Sequence, residues 1–158
     1  MSLSERIVGM RYRYPDHYVV GREKIREFAV AVKNDDRAFF DEDAAAELGH
    51  ERLPAPLTFT SVLGYMAQVS FFEYAGVAIK DAKIVQVDQV VKYAKPIFAG
   101  DKLYCDVHVD AVRQAHGTDL VVLKNIVTNE AGDVVQETFT TLAGRSGDGE
   151  EGFSDATA

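Results

Sequence analysis

The chain has 158 residues, with 17 Lys plus Arg against 25 Asp plus Glu, a formal net charge of −8, and 47% hydrophobic residues. That length suits one domain, and that composition suits a globular chain rather than a disordered one. The acidic balance argues against a nucleic-acid binder and against docking on an anionic membrane, since both need a dense Lys/Arg surface.

Cys105 is the one cysteine, which excludes an internal disulfide and a cysteine-rich zinc site and points to a reduced compartment. The opening MSLSERIVGMRYRY carries charges where a signal peptide needs an apolar core. No run reaches the roughly 18 apolar residues of a membrane span. The expectation is a cytoplasmic domain folded over residues 5–143. The last segment, GRSGDGEEGFSDATA, has little to bury and is predicted to be a flexible acidic tail over 144–158.

In chain order, Val19-Val20 reads as a short edge strand. In GREKIREFAVAVKND, Ile25, Phe28, Ala29 and Val32 share one helix face, and Asn34-Asp35-Asp36 stops the helix. A second, Ala-rich helix runs over 43–48, with Gly49 where a C′ glycine belongs. HERLPAPLTF is a linker punctuated by Pro54 and Pro56. From Leu57 to Tyr74 a longer helix follows, capped by Thr58 or Thr60 and ended by Gly76. Only Glu73 in it is charged and its apolar residues occur on every face, so it is predicted to be buried all round.

The second half is strand-like. KIVQVDQVVKYAKPI reads as a strand ended by Pro96. In KLYCDVHVDAV, Leu103, Cys105, Val107, Val109 and Ala111 point one way and Tyr104, Asp106, His108 and Asp110 the other. DLVVLKNIVTN and DVVQETFTTLA are two more strands, joined by the turn signal Asn129-Glu130-Ala131-Gly132. Antiparallel strands curled around one buried helix make an α+β fold, in its familiar version a single hotdog domain.

The segment NDDRAFFDEDAAAELGHERLPAPLTF resembles the MaoC-like hydratase and dehydratase family. That family's loop follows the pattern G-D-x-N-P-x-(H or Y)-x-D. An Ala-rich helix, a Gly and then A-P-x-T-F at the start of the central helix come next. Ala55-Pro56-Leu57-Thr58-Phe59 matches the last part in full, Ala44-Ala45 and Gly49 match the middle, and IVQVDQVVKYAKPIFAGDKLY matches the family's strand and P-x-x-x-G-D turn. Within the family the chain is similar to the non-catalytic, substrate-binding subunits of mycobacterial (3R)-hydroxyacyl-acyl-carrier-protein dehydratases. In the family's loop an Asp and a His form the catalytic pair. Here Asp35 stands at the Asp position and Phe40 at the His position, with Arg37 and Ala38 in place of Asn and Pro. Dehydration requires removal of an α-proton and protonation of the leaving hydroxyl, and a phenyl ring does neither.

Several residues carry two readings. Asp35 is either a remnant of the catalytic acid or a turn residue. Phe40 is either core or a wall of the acyl channel. His50 follows Gly49 near the loop and is either a stand-in for the missing imidazole or an ordinary loop histidine. His17, His108 and His116 read as turn, solvated-strand and hairpin residues, and no pair has metal-ligand spacing. Ser61 either faces the channel or packs the helix, with Tyr65 one turn on; without a G-x-S-x-G elbow it is no nucleophile. Gln86 and Asn125 are polar residues inside β-branched strands, and a buried amide must be hydrogen-bonded. The resemblance implies that Phe59, Ser61, Tyr65, Gln86 and Asn125 bind substrate, the two amides holding a thioester carbonyl or the pantetheine arm. Cys105 is read as inert core. Lys92, Lys95 and Lys102 surround the Pro96 to Gly100 turn, as a carrier-protein contact or a solvated turn.

The resemblance therefore implies a subunit of a heterodimeric dehydratase of fatty-acid, specifically mycolic-acid, elongation. Its partners would be a catalytic hotdog chain, an acyl carrier protein and a long-chain acyl thioester carried on phosphopantetheine, with no cofactor of its own. Two rival readings are a self-sufficient homodimeric hydratase or thioesterase using Asp35 with His50, and a non-enzymatic acyl-binding protein.

Overall fold

The computed structural model describes residues 2–147 and 151–156. Its helices are α1 (Leu3–Ile7), α2 (Arg22–Ala31), α3 (Glu42–Glu47) and α4 (Ser61–Tyr74). Its strands are β1 (Arg11–Arg13), β2 (Tyr18–Val19), β3 (Val77–Ile79), β4 (Val85–Tyr93), β5 (Lys102–Ala115), β6 (Thr118–Thr128), β7 (Val134–Gly144) and β8 (Phe153–Asp155). An antiparallel sheet of order β1-β5-β6-β7-β4, with β2 beside β5, holds α4 on its inner face, as the hotdog expectation requires.

Two hairpins set the order of the long strands. His116 and Gly117, at φ +52 and +77, join β5 to β6; a turn with both central residues left-handed matches the twist of the strands it connects. Between β6 and β7, Asn129 Oδ1 accepts from the N–H groups of Ala131 and Asp133, each at 3.0 Å. β5 alternates as expected, with Leu103, Cys105, Val107 and Val109 buried. A register shift between Val109 and Ala111 then interrupts the pattern.

Leu63, Ala67, Phe71 and Phe72 of α4 are buried against the sheet. A fully buried Leu or Phe contributes about 1.5–3 kcal/mol each, so this contact anchors the fold. The helix is not buried all round, however. Tyr65 is 58% exposed, Met66 40% and Tyr74 63%. Within one chain the sheet covers one side of α4 and leaves an apolar flank open. Thr60 takes the N-cap position, but its hydroxyl makes no capping bond; it accepts instead from Gln136 Nε2 at 2.6 Å.

The tail expectation is corrected. β7 runs through Gly144, and Phe153 of β8, 1% exposed, pairs opposite Ile79 of β3. Ala156 N–H reaches Gly76 O at 3.0 Å, and Phe153 N–H reaches Arg145 O at 3.0 Å. One aromatic ring gives this polar segment enough to bury. Residues 148–150 and 157–158 of the expected tail lie outside the described residues. At the other end, Leu3 and Ile7 of α1 are buried behind a Ser2/Glu5 capping box, so the fold begins before residue 5. No helix among the described residues is long and apolar enough to cross a membrane.

Candidate functional site

Strand register places three rows of side chains under α4. Val107, Asn125, Thr138 and Val91 lie across β5, β6, β7 and β4; Val109, Leu123, Thr140 and Gln89 form a second row, and Cys105, Val127, Gln136 and Tyr93 a third. The core is thus apolar beneath β5 and turns polar toward β7 and β4. Gln136, Thr138 and Thr140 are the buried side of β7, whereas Phe139 faces outward beneath the ammonium groups of Lys92 and Lys124. A strand that buries Thr and Gln while turning Phe out reverses the usual pattern. That reversal was visible in QETFTT, and sequence reasoning missed these cleft residues.

The polar rows line a cleft of about 80 Å³ between the start of α4 and strands β4, β6 and β7. Ser61, Tyr65, Gln86 and Asn125, four of the expected substrate-binding residues, all line it. Two cross-links shape its walls: Gln136 to Thr60, and Gln89 Nε2 to Thr140 Oγ1 at 3.2 Å. Asn125 is 2% exposed, and its Oδ1 has no hydrogen-bond partner. Such an atom normally costs about 1–3 kcal/mol when left unpaired. Gly64 is what lets the amide approach the helix, because a Cβ there would stand 3.1 Å from Asn125 Nδ2.

The cleft continues in both directions. Through Tyr65, Gln68 and Gln86 it joins a groove of about 220 Å³ lined further by Val69, Phe72, Ile79, Ile84 and Leu142, with one carboxylate, Asp81. Through Gln136 it meets a vestibule of about 250 Å³ formed by Phe39, His50, the Pro54–Leu57 stretch, Tyr93, Lys95 and Ile97. Tyr93 Oη donates to Leu57 O at 2.9 Å and ties the edge strand to the A-P-L-T-F segment.

Other expected site residues lie elsewhere. Phe59 is 1% exposed and packs edge-on against Tyr18 and Phe28, so it is core and lines none of these spaces. Phe40 sits against Glu23, Arg26, Glu27 and Val30 on the outer side of α2. Asp35 is exposed, and Asp36, not Asp35, lines the vestibule with His50. The backbone also fits a register of the loop pattern one residue earlier. Lys33 has φ +57, the left-handed conformation that a leading glycine would adopt without strain. Asp41 caps α3, accepting from Asp43 N–H at 2.7 Å and Ala44 N–H at 3.3 Å, so the pattern's closing Asp falls on it. In that register Asn34 would stand at the Asp position and Phe39 at the His position. Neither register supplies an imidazole.

Asn34 Oδ1 accepts from Asp36 N–H at 3.2 Å and Asp36 Oδ1 from Ala38 N–H at 3.0 Å, which fixes the loop locally. Arg22 binds both carboxylate oxygens of Glu42 and joins α2 to α3 around it. Hydrogen bonding to Arg22 holds the Glu42 carboxyl down at about 2. Burial pushes the Cys105 thiol up to about 12, which fits inert core.

The expected basic cluster is engaged. Lys95 pairs with Asp133 at 2.7 Å, Lys102 with Glu130 at 3.5 Å, and Lys92 lies over Phe139. Among the described residues no group of three His, Cys, Asp or Glu is arranged to hold a metal.

Comparison with known proteins agrees with this geometry. The family model described as FAS1-like, dehydratase domain region, matches residues 6–138. A UPF0336 protein of Mycolicibacterium paratuberculosis is 69% identical over 159 residues, covering all of both chains. A UPF0336 protein of Mycobacterium tuberculosis is 68% identical over 158 residues, again covering both in full. Among solved structures, a chain of the C-terminally truncated HadBC (3R-hydroxyacyl-ACP dehydratase) complex from Mycobacterium tuberculosis superposes with a TM-score of 0.81. It is 48% identical, and the match covers 90% of this chain and 100% of that one.

Proposed function

The chain belongs to the FAS1-like family defined by the dehydratase domain region, and from that premise we propose that it is the substrate-binding subunit of a heterodimeric (3R)-hydroxyacyl-ACP dehydratase. The observation that carries the proposal is the combination of a complete channel with an incomplete loop. The cleft keeps its unpaired Asn125 amide, while neither register of the loop puts a His where the family has its acid–base pair.

A catalytic hotdog partner supplies the Asp and His. One group takes the proton from C2 of the acyl chain, the C3 hydroxyl leaves as water with a proton delivered to it, and a trans-2-enoyl thioester forms. In this chain the polar cleft receives the head of the substrate, where Asn125, Gln86 and Ser61 offer hydrogen bonds. The groove along α4 receives the acyl tail. No cofactor is required, because the phosphopantetheine of the carrier protein presents the substrate. The pathway in this reading is fatty-acid elongation toward mycolic acids; the likeness to a 3R-hydroxyacyl-ACP dehydratase supports the carrier-bound 3-hydroxyacyl substrate.

The partner docks on β4. That strand is a sheet edge, and Val85, Val87, Val90 and Tyr93 on it are all exposed. An unpaired apolar edge is a template for a second strand, and continuing the sheet into a partner removes it. The same contact covers the open flank of α4.

A second reading, a self-sufficient enzyme, has one observation in its favour: Asp36 and His50 line the same vestibule. The test is turnover of a 3-hydroxyacyl thioester by the chain alone and by its His50→Ala variant. Turnover that needs His50 and no partner favours this reading over the subunit proposal. Acyl binding without turnover under any pairing would leave a non-enzymatic acyl-binding protein.

A further inference from the structure

The groove ends at Phe72, Ile79 and Ile84, with Asp81 also on its wall. All three rest on one ring, Phe153 of β8. Its centroid lies 5.9 Å from that of Phe72, its residue pairs with Ile79 across β3 and β8, and its ring shares the surface of Gly144 with Ile84. A Cβ on Gly144 would come within 2.9 Å of the Phe153 ring and 3.2 Å of Ile84 Cγ1, so the glycine is what lets the ring seat there. On its other side Phe153 borders a separate cavity of about 460 Å³, polar in character, with Arg6, Asp119 and Asp155 on its wall.

We propose that Phe153 backs the end wall of the acyl groove, made by Phe72, Ile79 and Ile84, and so sets the longest chain this subunit accepts. The inference rests on the reading of that groove as the acyl channel. A methyl terminus needs only apolar contact, and Phe72, Ile79 and Ile84 provide it. Beyond the ring the wall turns charged, where an alkyl chain gains nothing. The ring therefore holds in place the three side chains that close the channel. β8 holds it in place through pairing with β3, the Ala156 N–H bond to Gly76 O and the Phe153 N–H bond to Arg145 O. Residues far along the chain from the cleft thus become determinants of specificity.

Shortening the ring lets Phe72, Ile79 and Ile84 fall back into the space it occupied and lengthens the groove. Two further methylenes buried there raise kcat/KM about tenfold for chains just past the wild-type limit, relative to a short substrate. The experiment compares full-length wild type, Phe153→Leu and Phe153→Ala, each co-expressed with a catalytic hotdog partner. The probes are saturated 3-hydroxyacyl pantetheine thioesters lengthened by two carbons at a time. The readout is each profile normalised to its own shortest substrate, so partial loss of folded protein cancels, and Phe153→Leu serves if Phe153→Ala fails to fold. The expected result is a limit shifted to longer chains in the variants. A wild-type limit that stays in place in a folded variant overturns the end stop and leaves the subunit reading standing. A wild-type pair that turns over no member of the series removes the subunit reading and the end stop together.

Discussion

Asn125 concentrates the argument at the residue scale. Its Oδ1 is buried without a partner, and no structural bond would be lost by removing it. Asn125→Leu is therefore expected to leave the melting temperature unchanged or raised, while lowering kcat/KM of the assembled complex about tenfold, the worth of one hydrogen bond to substrate. A large loss of stability with kcat/KM intact would make the amide structural. Gly64→Ala should weaken turnover as well, since its Cβ crowds the same amide. Cys105, buried with its thiol pushed up to about 12, should resist a thiol reagent at neutral pH until the chain is unfolded; prompt labelling of native protein would contradict its place in the core. Sequence alone singled out Asn125, Gln86, Ser61 and Tyr65, which the fold brings to one cleft, because polar residues in apolar strands and helices stand out. It misplaced Phe59 and Phe40, because a phenyl ring carries no signal of which side of an element it faces.

At the scale of elements, the α2–loop–α3 unit shows how local bonds fix a functional segment. Hydrogen bonding to Arg22 depresses the folded-state pKa of Glu42 to about 2, below its ordinary 4.5. The stabilisation is thus present above the ordinary value and is lost as pH falls toward about 2. Both groups are exposed, so the effect is small and screened by salt. Wild type is expected to melt slightly above Glu42→Gln at neutral pH, with the two converging in acid; a gap that widens in acid would contradict the sign. Asp41→Ala, which removes the α3 cap, should lower the melting temperature by a few degrees. α2, α3, α4 and the long strands were legible from period, capping residues and turns. β1, β3 and β8 were not, because strands of three residues carry too little periodicity and owe their existence to the neighbours they pair with. The left-handed position ahead of the loop is a lysine, which a glycine pattern cannot flag.

For the whole molecule, α4 is incompletely buried and the β4 edge of the sheet is bare. The sequence correctly demanded that something wrap the central helix, but it could not say that a single chain leaves part of the wrapping undone. Val90→Asp, at a side chain 47% exposed, is expected to leave the chain folded and to abolish co-purification with a hotdog partner. Retention of the complex would move the interface off β4. The most direct measurement is a dehydratase assay on a (3R)-hydroxyacyl thioester. It is run with the purified chain alone and with the chain co-expressed beside a hotdog partner carrying an intact Asp–His loop. Turnover is expected from the pair and none from this chain alone. Robust turnover by the chain alone would contradict it and return the chemistry to Asp36 and His50.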